Sequence, residues 1–112
     1  KEEQPFFEAL YNLGIETREK DLQIFSTGMK KADWDVGLTV DAIRLSQSLD
    51  AVVIVSGDGD YLPLVEYLQK SAGKQVEVVA FGAPVSAKLT EAADDFIDLG
   101  REKEKFLINS RR

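Results

Sequence analysis

Residues 52–64 read VVIVSGDGDYLPL. Ala51–Val55 is apolar without alternation, which predicts a strand buried on both faces of a parallel sheet. Tyr61–Ala72 carries Tyr61, Leu64, Val65 and Leu68 at helical spacing, with Pro63 in the first turn and Gly73 past the end, so a helix follows the strand. Between the two lie Asp58 and Asp60, each preceded by a glycine that lets the chain turn tightly. Ligands of open α/β sheets gather beyond the carboxyl ends of the strands, which is where this pair of carboxylates falls.

The same alternation extends in both directions. Upstream, Asp35–Leu49 is expected to be a helix, with Val36, Val40 and Ile43 on one stripe, Leu38, Leu45 and Leu49 broadening it, and Asp35 as N-cap. Residues 26–33, STGMKKAD, read as a loop. Ile15–Phe25 alternates in places and reads as one or two short, charged edge strands. Residues 5–13, PFFEALYNL, place Phe6, Phe7, Leu10 and Leu13 on a helical stripe that ends at Gly14. Downstream, Gln75–Phe81 is a further apolar strand, Ser86–Ala93 a short helix and Phe96–Leu99 a final strand. The charged segment 100–112 is expected to be a peripheral tail. Helices alternating with apolar strands define an α/β class, a parallel sheet flanked by helices in three layers.

Composition narrows the chemistry. The chain has 112 residues, 44% hydrophobic, with neither Cys nor His. Disulfides, thiolate zinc sites, Cys nucleophiles and imidazole bases are therefore excluded. What remains is carboxylate, hydroxyl, Lys or Arg chemistry, or a metal held by oxygen. No apolar run approaches the roughly 20 residues of a membrane span, and residues 1–10 do not have the pattern of a signal peptide, so a soluble, cytoplasmic protein is expected. Twenty acidic against 14 basic residues give a net charge of −6, unfavourable for non-specific binding to phosphates. A bound divalent cation would offset part of that charge locally, and the basic stretches at 29–31 and 110–112 are suited to a phosphate backbone.

Two readings fit the acidic residues. In one, Asp60 caps the following helix and Asp58 makes a turn hydrogen bond. In the other, the crowded pair holds a cation, because carboxylates ~4 Å apart repel by ~4 kcal/mol at an effective dielectric of 20. A hard ion such as Mg²⁺ or Mn²⁺ suits oxygen-only ligands. Asp33, Asp35 and Asp41 form a second set with the same ambiguity, since helix N-termini favour carboxylates. Asp35 and Asp41, six residues apart, point to different faces of a helix at ~100° per residue, so Asp35 would reach a shared site from the cap and Asp41 from the helix body. Trp34 and Tyr61 flank these groups, either as base-stacking platforms or as half-buried packing residues. Arg44 reads as an ion-pair partner.

The strings KKADWDVGLTVDAI, DAVVIVSGDGDYLPLVEYL, GKQVEVVAFG and VSAKLTEAADDFIDL resemble the NYN domain family, in its LabA-like branch, within the PIN-like nucleases. The resemblance runs from about Phe6 to Leu99, with residues 1–99 as one domain. It implies a Rossmann-like sheet and Mg²⁺- or Mn²⁺-dependent hydrolysis of RNA phosphodiester bonds. It carries Asp41 and Asp58 onto metal-site positions, Asp35 and Asp60 onto further motif aspartates with metal-contacting or supporting roles, and Lys31, with Lys30 beside it, onto a nucleic-acid-binding position. Ser56 and Asp94 match positions that support the site from behind. Asp41, Asp58 and Asp60 are the residues expected to carry catalysis. The family opens on a strand ending in Asp-x-x-Asn, and that segment has no counterpart here, so another segment or a second copy of the chain is expected to complete the sheet. A non-catalytic regulatory module that binds RNA or protein through the same fold is the alternative.

Overall fold

The computed structural model describes residues 3–19, 23–24, 30–31, 34–82 and 85–108, with the side chains of 23–24 and 30–31 outside the description. The chain divides into two compact units, Lys1–Trp34 and Asp35–Arg112.

In the first unit, helix α1 spans Gln4–Asn12 with Pro5 in its first turn, where the missing proline N–H would have no helical partner anyway. None of its residues is buried, and Phe6, Tyr11 and Leu13 are exposed. Residues 15–19, expected to be extended strand, have no regular structure. Strand β1 is confined to Gln23–Ile24 and pairs antiparallel with β2, Lys30–Lys31, in the register Gln23↔Lys31 and Ile24↔Lys30. The segment read as a loop therefore contains a short strand. Its two lysines carry no apolar signal, and the pairing is set by the backbone. Asp33 lies outside the described residues.

The second unit holds the α/β core. Helix α2 spans Asp35–Ser46 and stops short of the expected end at Leu49. Strand β3 is Ala51–Val55. A 3₁₀ turn at Gly59–Tyr61 leads into helix α3, Leu62–Glu66, and a π turn at Tyr67–Ser71. The region expected as one helix is thus one continuous helical rod with three hydrogen-bonding patterns. Strand β4, Gln75–Ala80, helix α4, Ala87–Ala92, strand β5, Asp95–Asp98, and a short helix α5, Lys103–Phe106, follow. The tail expected beyond residue 99 thus contains a helical turn, exposed throughout.

The sheet is parallel, in the order β3-β4-β5. Ala51 pairs with Gln75, Val55 with Val79, Glu77 with Asp95 and Ala80 with Asp98. The expected α/β class with a parallel sheet flanked by helices is observed. One face is closed by the helical layer: Ile54, Val76 and Val78 from the strands pack with Tyr61, Leu64, Val65 and Leu68 and with Leu89 of α4. Each of these aliphatic side chains contributes roughly 1.5–3 kcal/mol when fully buried. The expected burial of β3 on both faces is not seen. Ile54 is buried, but Val53 and Val55 are 54% and 70% exposed. Among the described residues β3 pairs with β4 alone, which leaves these side chains on an open edge. No helix among the described residues is long and apolar enough to cross a membrane.

Candidate metal centre at the carboxyl end of β3

The loop after β3 is built from its own polar atoms. The Asp58 N–H donates to Ser56 Oγ at 3.1 Å, and the Asp60 N–H donates to Asp58 Oδ1 at 2.9 Å. Asp58 is therefore the N-cap of the 3₁₀ turn, the bonding pattern that short acidic side chains offer at a helix start. Gly57 and Gly59 serve a different need from the tight turn expected of them. Neither has a positive φ. A Cβ on Gly57 would lie 3.2 Å from Val85 Cα, and one on Gly59 would lie 3.0 Å from Ser86 Cβ and Oγ. The glycines let the start of α4 close against the loop, and the Ser86 N–H donates to the Gly57 carbonyl at 3.2 Å.

Asp35 enters from the first turn of α2, where the helix dipole favours a carboxylate. Its Oδ1 accepts a 2.7 Å hydrogen bond from the Tyr61 hydroxyl. The Tyr61 ring belongs to the core and is 5% exposed, so a buried side chain holds the helix start against the loop. Asp35, Asp58 and Asp60 each present an oxygen, and these oxygens lie within 4.8 Å of one another. Oxygens on one octahedral ion with ~2.1 Å bonds are about 3.0 Å apart when adjacent and about 4.2 Å when opposite, so these three match a hard divalent cation in donor type and would draw closer together to share one. Asp58 and Asp60 are exposed and Asp35 is half-buried, so water can complete such a shell.

Several expected site residues lie elsewhere. Asp41 is not part of this group. It forms an ion pair with Arg44 Nη2 at 3.1 Å and lines a groove of about 250 Å³ with Leu38, Leu45, Val53 and Val55. Six residues beyond Asp35, it stands about 9 Å further along the helix axis at 1.5 Å per residue. Ser56 supports the loop directly. Asp94 sits at the opposite end of the sheet, where its Oδ2 accepts from the Val76 N–H at 2.7 Å and from Gln69 Nε2 at 3.2 Å. The side chains of Lys30 and Lys31 lie outside the described residues. Trp34 is 40% exposed, and Tyr61 is a packing residue rather than a stacking platform.

Two residues at this end of the sheet escaped the sequence reading. One is Tyr61 in its tethering role, which depends on a partner 26 positions away and has no local signature. The other is Asp98 at the end of β5. Its Oδ1 accepts 2.8 Å hydrogen bonds from the N–H groups of both Gly82 and Gly100, so it binds the loops after β4 and β5 together. Its position at a strand end, two residues before Gly100, was the available signal.

A parallel sheet carrying an acidic group at its carboxyl edge defines an α/β domain of the PIN-like kind. The NYN domain profile matches residues 1–100, and the chain belongs to the NYN domain family, in its LabA-like branch. It is 30% identical over 105 residues to the Low amplitude and bright protein LabA of Synechococcus elongatus, covering 88% of this chain and 56% of that protein. It is also similar to a crystal structure of a protein of unknown function from Vibrio parahaemolyticus. That likeness has a TM-score of 0.78 and 37% identity, over 88% of this chain and 60% of the other. The chain thus spans somewhat over half the length of these relatives.

Proposed function

We propose that this is the NYN domain of a metal-dependent endoribonuclease, acting on single-stranded RNA in the cytoplasm, with residues 1–99 as the domain and 100–112 as a tail. The observation that carries the reading is the convergence of Asp35, Asp58 and Asp60 from two separate elements on one point at the carboxyl end of β3. The three would hold Mg²⁺ or Mn²⁺. Such an ion, when bound, supplies Lewis-acid activation and neutralises charge on the phosphoryl oxygens.

The chain's own residues supply position. The Tyr61 hydroxyl fixes Asp35, and the Ser56 hydroxyl with the Asp60 N–H fixes the Asp58 loop, so little reorganisation accompanies binding of the phosphate. Asp60, exposed at the rim, would orient the attacking water and take its proton as the water oxygen bonds to phosphorus, while the phosphorus–oxygen bond to the leaving ribose breaks and that ribose oxygen takes a proton from solvent. Lys30 and Lys31 are assigned to the phosphate backbone. Asp41 is assigned to a further carboxylate position beside the group, at the groove next to β3. We assign that groove to an additional strand, from another segment of the full protein or from a second copy, because the edge bearing Val53 and Val55 is apolar and exposed.

The test is cleavage of single-stranded RNA by the full-length protein with Mn²⁺. Asp58→Asn should reduce the rate at least 100-fold, and an unchanged rate rules the assignment out. One observation favours a second reading: Asp41 pairs with Arg44 and stands outside the acidic group. A regulatory module that binds RNA or protein without cutting it would show no cleavage in the wild type under the same conditions.

A further inference from the structure

Beside the acidic group is a cleft that the proposed hydrolysis leaves unexplained. It has a volume of about 480 Å³ and is lined by Val55, Ser56, Asp58, Val79, Phe81 and Leu99, among others. Its size falls within the roughly 300–1,000 Å³ of small-molecule sites, which pair apolar walls with a few polar groups. Phe81, directly after β4, is 40% exposed and presents its ring to the cleft wall.

The backbone that carries the ring is also held in place. The next residue, Gly82, donates its N–H to Asp98 Oδ1, and the Gly100 N–H donates to the same oxygen. A Cβ on Gly82 would collide with the Asp98 carboxylate. The Leu99 N–H donates to the Ala80 carbonyl at 2.9 Å. The loops on either side of Phe81 are therefore tied to each other before any ligand arrives. Beside the Asp58 carboxylate, the cleft's donor is the Ser56 hydroxyl, which accepts from the Asp58 N–H and keeps its own proton to donate.

We infer that this cleft is a nucleobase subsite, in which a base of the RNA strand stacks on Phe81 and receives a hydrogen bond from Ser56. The inference rests on the nuclease reading above. Asp58 belongs both to the acidic group and to the cleft wall, so a strand whose phosphate lies at the carboxylates has an adjacent base at the cleft. A mostly apolar cleft with one aromatic ring, one hydroxyl and the Asp58 carboxylate at its rim accepts the flat face of any base, since stacking tolerates sequence. Asp98 acts as a positioning residue for the ring.

The experiment compares two single-stranded RNA 10-mers, one intact and one with abasic nucleotides at its central positions, for binding and Mn²⁺-dependent cleavage by the full-length protein. The wild type should bind the abasic strand about 5- to 150-fold more weakly, the range for one base on one ring. Phe81→Ala should bind the intact strand as weakly as the abasic one, Phe81→Trp should restore the difference, and Ser56→Ala should weaken binding of the intact strand by a smaller factor. A wild type that cleaves RNA yet binds both strands equally overturns the subsite and leaves the nuclease reading standing. So does Phe81→Ala that still discriminates between them while retaining the wild-type circular dichroism spectrum. If Phe81→Ala does not fold, the wild type and Phe81→Trp decide the matter by the same comparison. Failure of the wild type to cut the intact strand counts against the nuclease reading separately.

Discussion

The two ends of the sheet use the same residue type in opposite ways. At the amino end, the Asp94 carboxylate faces donors: the Val76 N–H at 2.7 Å and the Gln69 amide at 3.2 Å. The Asp94 N–H in turn donates to the Val76 carbonyl at 2.8 Å. At the carboxyl end, Asp35, Asp58 and Asp60 face one another within 4.8 Å. An aspartate surrounded by N–H groups contributes to stability, because hydrogen bonds to charged groups are worth about 1.5–3 kcal/mol. Aspartates that face one another cost stability beyond what the Tyr61 hydroxyl and the Asp60 N–H contribute to them, unless a cation joins them. The screened cost is smaller than the ~4 kcal/mol per pair expected at low exposure, because Asp58 and Asp60 are open to water. The second arrangement is the basis of the proposed ion binding.

The largest expected effect tests the proposed catalysis. Asp58→Asn, which preserves the cap geometry since Asn caps as well as Asp, should reduce Mn²⁺-dependent RNA cleavage at least 100-fold. Its melting temperature in EDTA should stay within a few degrees of the wild type. A large fall in stability would show that Asp58 is held for structure. Next in size is Asp94→Ala, which leaves the Val76 N–H without its partner and should destabilise the protein by about 1–3 kcal/mol in urea unfolding. A neutral result would remove the amino-end half of the comparison.

Fold and site were legible to different degrees, for reasons visible in particular residues. The strand Ala51–Val55 and the inward set Tyr61, Leu64, Val65 and Leu68 follow from apolar patterning, and all four of those inward residues are buried. The strand at Lys30–Lys31 could not be read, because two lysines in a pairing fixed by the backbone carry no pattern. The exposure of Val53 and Val55 was also hidden, since an apolar strand looks the same whether or not its second edge and face are covered. In the site, Asp58 and Asp60 were legible because they are neighbours in the chain. The approach of Asp35 and the distance of Asp41 depend on how α2 meets the loop, and the Tyr61 hydroxyl settles that through a contact across 26 positions.

A smaller effect sharpens the comparison at that contact. Tyr61→Phe keeps the buried ring but removes the bond to Asp35, and should cost about 0.5–1.5 kcal/mol in stability. Metal affinity should weaken more than stability does, because Asp35 is no longer held toward its partners. The smallest effect has the opposite sign to that of Asp94→Ala. Asp60→Asn should leave the protein in EDTA as stable as the wild type or slightly more stable, by a few tenths of a kcal/mol, since it relieves repulsion at an exposed position.

The central claim is that Asp35, Asp58 and Asp60 share one divalent ion. It is tested most directly by thermal unfolding of the wild type and Asp58→Asn in EDTA and across a Mn²⁺ titration. Binding to the folded state alone should raise wild-type stability by about 2.7 kcal/mol at a hundred times the dissociation constant, and Asp58→Asn should lose most of that gain. A wild type whose melting temperature is the same with millimolar Mn²⁺ as with EDTA would contradict the account.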